Sequence, residues 1–235
     1  YTRALLDAVP SIETAHPASP STESTVILSA RNLHKTFRGQ RGLGLVGPKT
    51  KALDDVSLDI RHGETLALVG ESGSGKSTLG RVFLRLTEAD QGSVELENID
   101  LLALTGSQLR LTRRKIQMIF QDPYASLDPR QSVGAAIAEP IIIQGSVTKS
   151  DRRETVDALL TRVGLTPEMA SRFPHEFSGG QRQRIAIARA IAAAPDLIIA
   201  DEPTSALDVS IQAQILDLLA DLKQEKRLTM LFISH

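Results

Sequence analysis

The sequence has no cysteine among its 235 residues. Disulfide bridges, thiolate metal sites and cysteine nucleophiles are therefore excluded for this chain. The sequence also has little net charge, because 27 lysines and arginines nearly balance 28 aspartates and glutamates. No overall field draws such a chain toward nucleic acid or anionic lipid, so we expect no nucleic-acid partner.

Long apolar runs are missing as well. The most apolar stretch, Ile185 to Ala200, is interrupted by Arg189 and Pro195, which leaves it well short of the roughly 20 apolar residues that a spanning helix needs. Residues 1–25 carry charges and three prolines and lack the apolar segment of a signal peptide. We therefore expect a soluble chain whose role at a membrane depends on a partner.

Residues 10–24, PSIETAHPASPSTES, are rich in proline, serine and threonine and predict a linker. A short amphiphilic piece, Tyr1 to Val9, precedes this linker, and the folded domain is expected to begin near Thr25. From there strand and helix patterns alternate, which favours an α/β sheet fold. The Gly-rich segment from Arg38 to Gly47 is expected to be an exposed loop.

Short apolar runs predict buried strands, and apolar residues spaced i, i+3, i+4 and i+7 predict helices. The predicted strands are Thr65 to Val69, Ile116 to Phe120, Leu197 to Ala200 and Leu228 to Ile233. The predicted helices are Lys76 to Leu86, Val156 to Val163 with Gly164 as its end, Gln181 to Ala194, and Ile211 to Leu222.

The segment from Gly70 to Ser77 matches the pattern G-x-x-x-x-G-K-[ST] at every fixed position, between a predicted strand and a predicted helix. Its glycines let successive backbone N–H groups point into one concavity, and the helix that follows adds its positive end. Lys76 is expected to reach the β- and γ-phosphates of a nucleotide, and the Ser77 hydroxyl to bind Mg²⁺. The complete predicted loop is Gly70, Glu71, Ser72, Gly73, Ser74, Gly75, Lys76, Ser77 and Thr78.

A flexible Gly/Ser turn with an incidental lysine is the alternative interpretation of this loop. The strand and helix around it favour a nucleotide site. The motif alone is shared by kinases, GTPases, helicases and transport motors.

Two carboxylates, Asp201 and Glu202, stand at the end of the apolar run DLIIADEP. In proteins with this kind of loop such a strand lies beside the phosphates, so Asp201 is expected to hold Mg²⁺. Glu202 is then the candidate that orients and polarises the attacking water, and Pro203 ends the strand. A solvated Asp-Glu-Pro turn is the alternative, and only the combination with the Lys76 loop favours the functional interpretation.

Ser178-Gly179-Gly180-Gln181 resembles the signature sequence of ABC ATPases, with Phe177 where leucine is commoner. Ser178 is a good N-cap for the helix that follows, and its hydroxyl and the glycine N–H groups form a second phosphate cradle. The resemblance implies that two domains pack head to tail and hold each ATP between the Lys76 loop of one and the Ser178 loop of the other. A simple helix cap is the alternative, but it does not explain the position before the acidic strand.

Other positions resemble the family in the same order. Gln121 resembles the glutamine that contacts Mg²⁺ and couples to the membrane subunit, and Asp208 belongs to a stretch, SALD, like the loop that crosses the dimer interface. His235 resembles the histidine that senses the γ-phosphate. Phe37, at a position where tyrosine is commoner, is the candidate for stacking on adenine.

Over residues 25–235 the resemblance implies an ABC ATPase fold. Such a fold has a P-loop core with a mainly parallel sheet, an N-terminal antiparallel β subdomain and an inserted helical subdomain, here at about 122–180. The segments IFQDPYASLDPR and FPHEFSGGQRQRIAIARAI look like those of oligopeptide, dipeptide and nickel importer ATPases.

This resemblance implies an ATPase that uses ATP and Mg²⁺ and drives import of oligopeptides or similar small solutes through a separate membrane permease. An extracytoplasmic solute-binding protein would act with them, and the chain would lie peripherally at the cytoplasmic face of the cell membrane. An exporter ATPase, an inactive regulatory domain and a non-transport ABC ATPase of DNA repair or translation are the alternatives. The last class usually carries insertions that the sequence lacks.

Both ends raise further expectations. Tyr1 to Pro10 resembles a segment found near the C-terminus of peptide-importer ATPases, so we expect that another ABC domain precedes this one in a tandem chain. A chance amphiphilic leader is the alternative. An ABC domain normally continues beyond the histidine, so a chain truncated at His235 is expected to bind nucleotide but to hydrolyse it poorly.

Overall fold

The computed structural model describes residues 25–41, 45–145 and 148–235. Within these ranges the chain forms eight strands and seven α-helices. The strands are β1 (Val26–Arg41), β2 (Leu45–Arg61), β3 (Thr65–Val69), β4 (Gln91–Leu96), β5 (Ile99–Asp100), β6 (Ile116–Ile119), β7 (Leu197–Asp201) and β8 (Thr229–Ser234). The helices are α1 (Lys76–Phe83), α2 (Gly106–Thr112), α3 (Pro123–Ser126), α4 (Val133–Gln144), α5 (Lys149–Arg162), α6 (Gly179–Ala192) and α7 (Val209–Lys226).

The strands form two sheets of different kinds. One is antiparallel, with the order β2-β1-β4-β5, and the other is parallel, with the order β3-β8-β7-β6. The parallel sheet is built from the short apolar runs that the sequence predicts as buried strands. Every residue of β7 is buried, as expected for a parallel strand with both faces covered.

The Gly-rich segment from Arg38 to Gly47 is not the loop that the sequence predicts. In the described part of this segment β1 continues to Arg41 and β2 begins at Leu45, and the two strands pair antiparallel with Arg38 opposite Lys49. Cross-strand hydrogen bonds between β1 and β2 stabilise these two strand segments, although the sequence of neither segment predicts a strand. The predicted linker at 10–24 and the segment from Tyr1 to Val9 lie outside the described residues.

Two apolar clusters make up the core. The first fills the space between the antiparallel sheet, α1 and one face of the parallel sheet, with Phe83, Leu33 and Ile60 fully buried. The second packs α4, α5, α6 and α7 against the opposite face, around Ile185 and Ile215. The part of the chain from α3 to α6 is mainly helical. None of the helices in the described ranges is long and apolar enough to cross a membrane.

The parallel sheet brings four chain segments to one edge. The strands β3, β7 and β8 end directly before Gly70, Glu202 and His235, and β6 ends two residues before Gln121. Because the carboxyl ends of parallel strands meet at the same edge, residues from four distant parts of the sequence converge there. This edge is where ligands bind in open α/β sheets.

Candidate functional site

A cleft of about 1180 Å³ lies at this edge. The antiparallel sheet forms one wall, and the segments that follow the four parallel strands form the other. Its lining residues are Phe37, Thr50, Ala52, Val69, Gly70, Glu71, Ser72, Gly73, Gly75, Lys76, Ser77, Thr78, Gln121, Asp122, Glu202, Ser205, Ala206 and His235.

The predicted phosphate loop curls around the N-terminus of α1. Gly75, the N-cap residue, has φ +96°, and a Cβ added there would lie 2.0 Å from the backbone oxygen of Ala52. Only glycine therefore fits between the loop and β2. No side chain caps α1, and the first N–H groups of a helix have no acceptor within it. The wall of the cleft thus offers backbone donors and a helix N-terminus to an anion.

Lys76 is held inside the loop. Its side chain is only 7% exposed, and Nζ donates to the backbone oxygens of Gly70 at 2.6 Å and Glu71 at 2.8 Å. Within the described ranges no carboxylate lies at ion-pair distance from this ammonium group. A buried positive charge with neutral partners favours the arrival of an anionic ligand.

Ser77 and Asp201 form a pair of oxygen donors. The Ser77 hydroxyl donates to Asp201 Oδ1 at 2.8 Å, and Asp201 is 2% exposed. Burial raises the pKa of the Asp201 carboxyl, and the hydrogen bond from Ser77 opposes that rise. A cation next to this carboxylate would offset the cost of its burial.

The donor chemistry fits Mg²⁺, which prefers oxygen ligands and is usually held by one or two protein groups together with phosphate oxygens and water. Within the described ranges no three His, Cys, Asp or Glu side chains converge on a metal site. The Ser77–Asp201 pair would hold such a cation together with oxygens of an anionic ligand and of water.

Glu202 is held by side chains from the neighbouring strand ends. Gln121 Nε2 donates to Glu202 Oε2 at 2.8 Å, and His235 Nδ1 lies 3.4 Å from the same oxygen. The Glu202 side chain is 12% exposed and that of His235 is 62% exposed. Glu202 also has a positive φ of 45°, which is uncommon for a residue with a side chain. This backbone turn ends β7 and leaves Glu202 in the wall of the cleft.

Phe37 lines the part of the cleft that the antiparallel sheet forms. It is 44% exposed, and Lys35 Nζ lies 5.6 Å from its ring centroid. An exposed aromatic ring is a suitable surface for a planar base.

The signature segment begins α6. Ser178 Oγ accepts from the backbone N–H of Gln181 at 3.3 Å, and Gln181 Oε1 accepts from that of Ser178 at 3.0 Å. This reciprocal box confirms the predicted cap. A Cβ added at Gly180 would lie 2.7 Å from Ile211 Cγ2, so α6 and α7 meet closely at this point.

The structure divides the predicted site residues into two sets. Phe37, Gln121, Glu202, His235 and the loop line the cleft, whereas Ser178, Gly179, Gly180, Gln181 and Asp208 do not. Ser74 and Asp201 do not line it either, but Asp201 contacts it through Ser77.

Some lining residues are absent from the sequence prediction. Asp122 directly follows Gln121, and Ser205 and Ala206 belong to the SALD stretch. Their position next to predicted site residues is the sequence signal that could have identified them. Thr50 and Ala52 come from β2 of the other sheet, and no local pattern in the sequence marks them.

Known proteins with a similar sequence or fold are ATP-binding domains, which agrees with the phosphate-binding loop seen in the cleft. Residues 53–205 match the family model for ABC transporters. The glutathione import ATP-binding protein GsiA of Escherichia coli (strain K12) is 49% identical over 259 residues, which cover 100% of this chain and 42% of that protein. The di/tripeptide transport ATP-binding protein DppF of Pseudomonas aeruginosa (strain UCBPP-PA14) is 48% identical over 209 residues, which cover 89% of this chain and 65% of that protein. The chain thus spans less than two thirds of the length of either relative.

Solved structures share the architecture. The ATP-binding cassette MJ0796, in a dimeric post-hydrolysis state bound to ADP and Pi, superposes with a TM-score of 0.78 at 34% identity and covers 88% of each chain. The cbiO1 protein of Clostridium perfringens superposes with a TM-score of 0.73 at 28% identity and covers 89% of this chain and 78% of that chain. The ABC ATPase fold implied by the sequence is therefore confirmed, and the chain belongs to the ABC transporter family as one of its ATP-binding domains.

Proposed function

We propose that this domain binds ATP with Mg²⁺ in the cleft, hydrolyses it to ADP and phosphate, and thereby drives solute import through a separate membrane permease. The observation that carries the proposal is the bond between Ser77 and Asp201. It joins the phosphate loop to the strand whose next residue is Glu202, so the groups for phosphate, cation and water share one cleft.

The loop would bind the phosphates first. The backbone N–H groups at the start of α1 accept the anion, and Lys76 exchanges the oxygens of Gly70 and Glu71 for those of the β- and γ-phosphates. Ser77, Asp201 and Gln121 would hold Mg²⁺, which when bound supplies positive charge to the phosphoryl oxygens. Phe37 stacks on the adenine.

Glu202 would act as the general base. Its carboxylate takes a proton from a water molecule, whose oxygen forms a bond to the γ-phosphorus as the bond from that phosphorus to the ADP oxygen breaks. Gln121 and His235 orient the carboxylate, and Lys76 and His235 stabilise the charge on the transferring phosphoryl group.

A second domain would complete the site. Ser178, Gly179, Gly180, Gln181 and Asp208 lie outside the cleft of their own chain, and this position favours a role across an interface. The Ser178 end of α6, with its capped N-terminus, is suited to the γ-phosphate of a partner's ATP. The partner is an ABC ATPase domain, either an identical copy or a sister domain.

The permease would bind to a separate groove of about 440 Å³ between α2, α4 and α6. Phe120, which directly precedes Gln121, lines this groove together with the exposed apolar residues Leu86 and Ile143 and the cationic Arg110. These neighbours favour a cytoplasmic helix of the permease with apolar and acidic side chains. Such docking would hold the domain at the cytoplasmic face of the cell membrane.

The cargo would be a small peptide, carried to the permease by an extracytoplasmic solute-binding protein. The two relatives are named for glutathione and for di/tripeptides, and both of these are short peptides. Copurification with a permease pair and a solute-binding protein would support import over export.

A comparison of wild type, Glu202→Gln and Glu95→Gln tests the proposed chemistry. Glutamine keeps the size of the side chain at 202 but cannot take the proton, so single-turnover ATP cleavage should fall by about 10²- to 10⁴-fold while ATP still binds. Glu95 is an exposed carboxylate of β4 outside the cleft, and its variant should behave as wild type. Unchanged cleavage in Glu202→Gln would refute the assignment of the base.

A further inference from the structure

Two arginines of α6 hold the short helix α3, which follows Gln121. The Arg182 guanidinium carbon lies 5.2 Å from the centroid of the Tyr124 ring, and Arg189 donates to the backbone oxygen of Ser126 at 2.8 Å. The two arginines are about two helical turns apart and so share one face of α6.

At its N-terminus α3 is fixed to the catalytic side of the cleft. The Asp122 carboxylate caps α3 by accepting from the backbone N–H groups of Tyr124 at 2.8 Å and Ala125 at 3.3 Å. The residue before it, Gln121, donates to Glu202. A displacement of Gln121 is therefore passed to Tyr124 through a capped turn rather than through a flexible loop.

At the other side of the contact, Arg182 belongs to the first turn of the signature helix. Its backbone N–H donates to the oxygen of Ser178 at 2.9 Å, and Ser178 is bound to Gln181 by the capping box. A displacement of the Arg182 side chain therefore also displaces the helical turn that contains Ser178.

We propose that the Tyr124–Arg182 stack is a positioning contact that couples the two phosphate-binding ends of one domain. Through this contact, a displacement of Gln121 and Glu202 in the cleft changes the orientation of Ser178 at the interface. The inference rests on the proposed function, in which Ser178 serves the ATP of a partner domain.

The strength of the stack suits such a contact. Tyr124 is 52% exposed, and a solvent-exposed cation–π pair of this kind changes an equilibrium by about two- to fivefold. A contact of that strength biases an arrangement without locking it.

The test measures ATP-driven association of variants on the Glu202→Gln background. Tyr124→Leu removes the ring, Arg182→Gln removes the charge, and the double variant closes the thermodynamic cycle. Arg184→Gln is the matched control: Arg184 is also an arginine of α6, but it donates to Val163 and Gln214 instead of contacting α3. Tyr124→Trp is the conservative variant, because indole is the best partner for a cation. The chain has no tryptophan of its own, so the new indole also serves as a single fluorescent probe.

We expect Tyr124→Leu and Arg182→Gln each to raise the dissociation constant of the ATP-bound dimer by about two- to fivefold. The double variant should equal either single one, and Tyr124→Trp should retain normal association. ATP affinity of the monomer should stay unchanged in all of them, since neither residue lines the cleft. Emission of the new tryptophan should change when ATP binds, and Arg182→Gln should abolish that change.

Other results separate the two proposals. If the Glu202→Gln background does not associate with ATP, an identical copy is excluded as the partner domain, and the coupling contact is then wrong unless the emission of Tyr124→Trp still changes when ATP binds. If the background associates but Tyr124→Leu is no weaker than Arg184→Gln, or if the two single effects simply add, the coupling contact alone is wrong. A fall in thermal stability without a change in association would assign the stack a structural role only.

Discussion

Gly75 is the position where the phosphate loop packs against the backbone of Ala52 in β2. An alanine there would adopt φ near +96° and place its Cβ 2.0 Å from the backbone oxygen of Ala52. The left-handed backbone costs about 1–2 kcal/mol for a residue with a side chain. Displacing the loop or β2 to relieve the overlap costs about 1–3 kcal/mol more, as in overpacked cores. Gly75→Ala should therefore lower the free energy of unfolding by about 2–5 kcal/mol and abolish nucleotide binding.

Gly63→Ala is the matched control. Gly63 has φ +74°, but nothing lies within 4 Å of the place that the alanine methyl group would occupy, and this glycine does not line the cleft. Only the backbone cost of about 1–2 kcal/mol applies, so nucleotide binding should persist. Urea unfolding followed by circular dichroism gives the two stabilities, and a fluorescent ATP analogue gives the two affinities.

Equal losses of stability in the two variants would refute the reasoning, because the overlap with Ala52 would then have no energetic effect. Normal nucleotide affinity in Gly75→Ala would show that the curvature of the loop does not depend on this glycine.

Three further variants test other parts of the account. Lys76→Ala removes a charged donor worth about 1.5–3 kcal/mol, so the ATP dissociation constant should rise by about 10- to 150-fold in equilibrium dialysis; unchanged affinity would contradict the role of Lys76. Ser178→Ala should lose about 1 kcal/mol of stability and weaken ATP-driven association, whereas Ser132→Ala, which removes the cap of α4, should lose similar stability only. The hydrogen bond from Lys35 lowers the pKa of Asp90 below its ordinary value of 3.8. The pair therefore stabilises the fold above pH 3.8, and this stabilisation is lost as the pH falls through the lowered pKa. Because Asp90 is partly exposed, Asp90→Asn should cost no more than about 1 kcal/mol at neutral pH, and in urea titrations the difference should vanish in acid.

The parts of the fold that depend on local pattern are predictable from the sequence. The run from Thr65 to Val69 is a strand with the predicted bounds, and Ser178 caps its helix as expected, because both signals lie within a few residues. The apolar pattern after Lys76 predicts a helix as far as Leu86, yet α1 ends at Phe83 and Arg85 has a positive φ of 52°. No glycine or proline marks that end in the sequence.

The parts that depend on tertiary contact are not predictable in the same way. The pairing of Arg38 with Lys49 joins two polar strand segments, so neither segment shows the apolar alternation of a half-buried strand. Thr50 enters the cleft because one sheet packs over the edge of the other. The neighbours of Glu202 in the sequence predict its role as the base, but its bond to Gln121 arises only from the adjacency of β6 and β7.

Hydrogen exchange of the Glu202→Gln chain, with and without ATP and Mg²⁺, shows whether the cleft is the nucleotide site. We expect slower exchange in peptides that cover Gly70 to Thr78 whenever ATP is present. Around Ser178 to Gln181 we expect slower exchange only at concentrations where two domains associate. Exchange in the Gly70 to Thr78 peptides that does not respond to ATP would contradict the claim that this cleft is the nucleotide site.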